Sequence, residues 1–72
     1  MVNTAALKDR IQKSGYRYAF VAEQLGISRQ SLTYKINNRV DFKSEEIMKL
    51  CDLIGITRLS DKDAIFFVKK ID

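Results

Sequence analysis

The chain of 72 residues has room for one hydrophobic core and no second. Hydrophobic residues make up 46% and proline is absent, which argues against a disordered chain and leaves helices free of their strongest stopper. With one cysteine, Cys51, and no histidine, neither an intrachain disulfide nor a structural zinc site can support so small a core.

A partner subunit is the supplement that remains. The net charge of +4 is unevenly spread: residues 1–15 carry +2, 16–43 carry +3, 44–57 carry −2 and 58–72 carry +1. The positive excess lies in the first 43 residues, which suits a polyanionic partner. There is no apolar run long enough to span a membrane, and the amino terminus lacks the order of a secretory signal. With the lone thiol this leads to the expectation of a cytoplasmic protein with no membrane contact.

In chain order, a first helix starts after Asn3 or Thr4, both good caps, and stops at Gly15, with Leu7 and Ile11 one turn apart on its inner face. A second covers residues 18–25 and ends at Gly26, with Val21, Ala22 and Leu25 facing inward. Ser28 caps a third, residues 28–37, whose Leu32 and Ile36 share a face. Asn37, Asn38 and Arg39 read as an exit loop. Ser44, Glu45 and Glu46 open a fourth helix that carries Ile47, Leu50, Cys51 and Ile54 at core spacing and ends at Gly55. The tail is ambiguous. Ser60 and Asp63 have the spacing of a capping box, whereas residues 64–68 are a continuous apolar run suited to a strand, so one helical turn followed by an extended segment is expected. The whole is one all-α domain, with its core in about residues 4–56 and a packing or dimerisation segment in 57–72.

The spacing of Ala22, Gly26, Ile27 and Leu32 has a mechanical reading. Helices that cross steeply within a three-residue turn need a small residue at the contact, Ala22, and one that tolerates positive φ in the turn, Gly26. Val21, Leu25, Ile27 and Leu32 then wedge the angle, with Ile36 extending the buried face. Opposite that face, at 100° per residue, lie Gln30, Ser31, Thr33, Tyr34 and Asn37, with no acid among them. Gln30 can pair with an adenine edge, Arg29 with guanine, and Thr33 or Tyr34 can touch a thymine methyl or a phosphate. Tyr18, Asn38, Arg39 and Lys43 lie where they could hold phosphates. A plain solvated face is the competing reading, and Arg39 and Lys43 fit solvated charge equally well. Ser28 is a cap first. Cys51 belongs to the core with an inert thiol, and Tyr16 and Phe20 pack or cover.

The run Val21, Ala22, Glu23, Gln24, Leu25, Gly26, Ile27, Ser28, Arg29, Gln30, Ser31, Leu32 resembles the Cro and lambda-repressor-like helix-turn-helix regulators, or XRE family, of phage type. The likeness covers about residues 7–56. It implies a bundle of four or five helices whose third helix enters the major groove, in proteins that often bind palindromic operators as dimers. Base contacts then fall to Arg29, Gln30, Thr33 and Tyr34, and backbone contacts to Arg17, Tyr18, Ser28, Ser31, Asn38, Arg39 and Lys43. Arg17 and Tyr18 depart from the family's usual capping Thr or Ser and phosphate-clamping Gln. Lys35 stands where many members bury an aliphatic residue, with Ile36 filling that role.

Of the tail residues Ile65, Phe66, Phe67 and Val68, either both faces pack on the bundle or Ile65 and Phe67 cover the core while Phe66 and Val68 meet a second subunit. Without histidine, a glycine-rich phosphate loop or a carboxylate paired with a nucleophile, no enzyme, cofactor, metal or small-molecule ligand is expected. The expected function is sequence-specific binding of double-stranded DNA by a dimeric repressor. The alternative is a protein-interaction module, antitoxin or antirepressor, on the same scaffold.

Overall fold

Local chemistry sets most of the helix ends. In a computed structural model, which describes residues 1–68, α1 (Thr4–Ser14) starts where Asn3 Oδ1 accepts the Ala6 N–H at 3.1 Å, and it ends at Gly15. Next, α2 (Tyr18–Leu25) closes on Gly26, whose φ of +72° is strained for any residue with a Cβ. After a short turn, Ser28 Oγ accepts the Ser31 N–H at 3.0 Å and opens α3 (Arg29–Ile36). Then α4 (Ser44–Ile54) begins without a serine cap: Glu46 Oε1 reaches back to the Lys43 N–H at 2.9 Å. Last comes α5 (Leu59–Phe66). The described residues contain these five helices and no strand, an all-α bundle.

The core is the set that helical spacing predicts, with four additions: Val2, Ile56, Ile65 and Phe66. Leu7, Ile11, Val21, Ala22, Leu25, Leu32, Ile36, Leu50 and Cys51 are buried, and Ile47 and Ile54 pack partly against them. Val2 and Ile56 join from outside the helices. The segment before α1 is tied down rather than loose, because the Asn3 N–H donates to the Ile65 carbonyl at 2.7 Å and the Val68 N–H to the Met1 carbonyl at 3.1 Å.

The tail differs from expectation. The helical part is two turns, begins at Leu59 rather than at a Ser60 cap, and runs through Phe66, leaving only Phe67 and Val68 outside it; positions 69–72 lie outside the described residues. An extended run here would have no strand among the described residues to pair with, and unpaired backbone is costly to bury. Helical geometry instead sets neighbouring residues about 100° apart, so Ile65 and Phe66 both point inward, and Phe66 meets Phe42 edge-on at 5.9 Å. Phe67 is 58% exposed, the reverse of the alternating pattern. Among the described residues no helix is long and apolar enough to cross a membrane.

Candidate functional site

Eight residues form a helix that is unstable alone, so what fixes α3 matters to anything its outer face does. Leu32 and Ile36 are fully buried, with Val21, Ala22 and Leu25 of α2 in the same core. Polar ties add to this at both ends. Ser28 caps the first turn. In the last turn, Lys35 is buried, 5% exposed, and its Nζ donates to Oε1 of Glu46, itself 7% exposed. Beside it, Thr4 Oγ1 donates to the Ile36 carbonyl at 2.7 Å. Asn38, in left-handed conformation at φ +63°, accepts the Val2 N–H at 2.8 Å and donates to the Val2 carbonyl at 2.9 Å.

Burial pushes the Glu46 carboxyl upward. The hydrogen bonds from the Lys35 ammonium and the Lys43 N–H, with the charges of those two lysines, outweigh burial and hold it below its ordinary value of 4.5. Glu46 therefore stays ionised, neutralises Lys35 and caps α4 at once. One of the positive charges counted in residues 16–43 is consequently internal, and among residues 29–36 the only exposed charge is Arg29.

The outer row of α3 lies where periodicity predicts. Arg29, Gln30 and Asn37 are exposed, while Ser31, Thr33 and Tyr34 are half-buried. The side chains are ordered among themselves. Gln30 Nε2 donates to Tyr34 Oη at 2.9 Å, and the Arg39 guanidinium stands over the Tyr34 ring, 5.4 Å from its centroid. Thr33 Oγ1 donates to the Arg29 carbonyl at 3.1 Å, which commits its proton but leaves the methyl and the oxygen lone pairs. Asn37 Nδ2 donates to the Thr33 carbonyl at 3.0 Å. What stays open is a mixed line of donors and acceptors with one cation, suited chemically to nucleobase edges or any other polar surface.

Around this row the expected backbone-contact residues divide. Arg17, Arg39 and Lys43 are exposed cations at element ends. Ser28 Oγ accepts the Ser31 N–H in the cap, which leaves its hydroxyl proton to donate. Tyr18 packs partly against the core, and the Asn38 amide is occupied by Val2 and, at 3.3 Å, by Thr4 Oγ1, so it is an internal clamp rather than an outward donor. Of the four tail residues expected at an interface, Ile65 and Phe66 are buried in the monomer, Val68 is half-buried and Phe67 alone projects, with Met48, 68% exposed, on α4. Cys51 is buried as expected, and that burial raises its thiol pKa above the ordinary value. Sequence reasoning missed the Lys35–Glu46 pair. Lys35 stands three residues after Leu32, where the resembled family often buries an aliphatic residue, but nothing local names Glu46 as its partner.

No curated protein and no solved structure matches the chain. The profile of one family does, across residues 4–69 and so across all five helices. The chain belongs to that family, described as a protein of unknown function, DUF739.

Proposed function

We propose that this chain binds double-stranded DNA sequence-specifically, as a cytoplasmic regulator of the Cro and lambda-repressor-like helix-turn-helix kind, with α3 as the reading helix. One observation carries the reading. The outer face of α3 is free of acid and lined with hydrogen-bonding side chains, and the helix beneath it is packed on the core through Leu32 and Ile36 and tied at both ends. A reader of base edges needs both properties, a donor–acceptor row and a fixed orientation. Arg17, Arg39 and Lys43 then supply phosphate contacts that set register. A second copy bound across a two-fold axis, meeting through the exposed Phe67 and Met48, would double the sequence read and place the reading helices about 34 Å apart. The action that goes with this reading is repression by occlusion of a promoter.

The test is selection from random duplexes, with sequencing of the bound fraction. The expected product is an inverted repeat with half-sites about one helical turn apart. Failure to enrich any sequence overturns the reading in favour of a protein-interaction module. The exposed Tyr16–Phe20 pair, with ring centroids 4.9 Å apart, would be its first contact surface.

A further inference from the structure

The contacts made by Tyr34 imply a role other than touching DNA. Its hydroxyl oxygen accepts one Nε2 hydrogen of Gln30, one helical turn earlier, and its ring is covered by the Arg39 guanidinium. We infer that Tyr34 is a positioning residue: its hydroxyl holds the Gln30 side chain in one place on the helix face, with Arg39 holding the ring, and so makes the chain selective for adenine at the base that Gln30 meets. The inference deepens the DNA-binding reading and rests on it.

An unrestrained glutamine samples several rotamers and loses that freedom when it binds, so a side chain already held in place meets its base at less cost. With one Nε2 hydrogen committed to Tyr34 Oη, Gln30 keeps a free Oε1 acceptor and one remaining Nε2 donor, side by side. Adenine presents the complement in the major groove, an N7 acceptor beside an N6 donor. Guanine presents two acceptors there, so the clamped Oε1 would face O6 lone pair to lone pair. Arg39 enters through the ring. Tyr34 lies half-buried between its own helix and the guanidinium, and a ring so held keeps its hydroxyl over Gln30. Arg39→Ala should therefore reduce discrimination at the Gln30 position as well as general affinity, unlike removal of a phosphate contact alone.

The experiment compares wild type, Tyr34→Phe, Gln30→Ala and the double variant by random-duplex selection, followed by titration of the selected duplex and of its single-base variants at constant salt. Gln30→Ala identifies the base that Gln30 reads, as the position whose preference collapses. Phenylalanine keeps the ring under Arg39 and removes only the hydroxyl. The expected result is that Tyr34→Phe lowers the adenine preference at that one position by about two- to tenfold, the worth of ordering one side chain beforehand. An unchanged thermal midpoint and no further loss of preference in the Gln30→Ala background complete the expectation. An unchanged adenine preference in Tyr34→Phe overturns the clamp and leaves DNA binding standing, as does an effect of equal size in the Gln30→Ala background, which would make Tyr34 a direct contact. A wild-type protein that enriches nothing overturns the DNA-binding reading itself, and the clamp with it.

Discussion

Two turns of this chain are written almost alike. Leu25-Gly26-Ile27-Ser28-Arg29 joins α2 to α3, and Ile54-Gly55-Ile56-Thr57-Arg58 joins α4 to α5. Both glycines take left-handed φ, +72° and +75°, and both isoleucines return their N–H to a carbonyl five residues back, Ile27 to Ala22 and Ile56 to Cys51. The exit from the preceding helix is one device used twice. The entries differ. Ser28 caps α3 directly, whereas Thr57 makes no such bond and α5 starts one residue later, behind an Arg58 without a side-chain cap. Both helices bury two apolar side chains, Leu32 and Ile36 in α3 and Ile65 and Phe66 in α5. What α3 has in addition is a set of polar ties at its ends, the Ser28 cap, the Lys35–Glu46 ion pair and the Thr4 hydrogen bond.

The largest effect expected from breaking this contrast is at Lys35. Lys35→Met leaves Glu46 charged and buried without its partner, and unfolding in urea should show a loss of about 3 to 5 kcal/mol. Adding Glu46→Gln should recover most of it, since no unpaired charge then stays inside. Acid probes the same pair. A carboxyl held below 4.5 in the folded state contributes stability that is fully present above that pH and is lost as pH falls through the lower folded value. The urea midpoint of the wild type should therefore drop on acidification below 4.5 more steeply than that of Glu46→Gln.

A smaller effect tests whether the exits are alike. At Gly26 and Gly55 an added Cβ meets nothing within 4 Å, so substitution acts through φ alone. Gly26→Ala and Gly55→Ala should each lose about 1 to 2 kcal/mol in thermal unfolding. Unequal losses would mean that the turns only look the same. The smallest effect concerns the entries: Ser28→Ala should lose about 1 kcal/mol with its cap, and Thr57→Ala less than about 0.5 kcal/mol.

Most helix ends were legible in local signals, the exception being the Ser60–Asp63 spacing, since α5 begins at Leu59. Gly15, Gly26 and Gly55 close the helices they were expected to close, and Asn3 and Ser28 cap as their types predict. The outward arc of α3 followed from Leu32 and Ile36 alone. What stayed hidden depends on partners distant in sequence. Lys35 reads as a surface lysine until Glu46, eleven positions on, is brought beside it. Asn38 reads as a loop donor until Val2 arrives across 36 positions. The run from Ala64 to Val68 has the composition of a strand, and only the lack of a strand to pair with, together with the pocket beside Phe42, makes it helical through Phe66.

The ties at both ends of α3 also bear on when its backbone opens. A free helix of this length would fray within microseconds, but here the first turn is capped by Ser28 and the last turn is fastened to Glu46 and Thr4, distant in sequence. The amide protons of its last turn should then exchange slowly, with the opening of the bundle rather than with local fraying, and a ligand docking on its outer face meets a shape already set before the encounter.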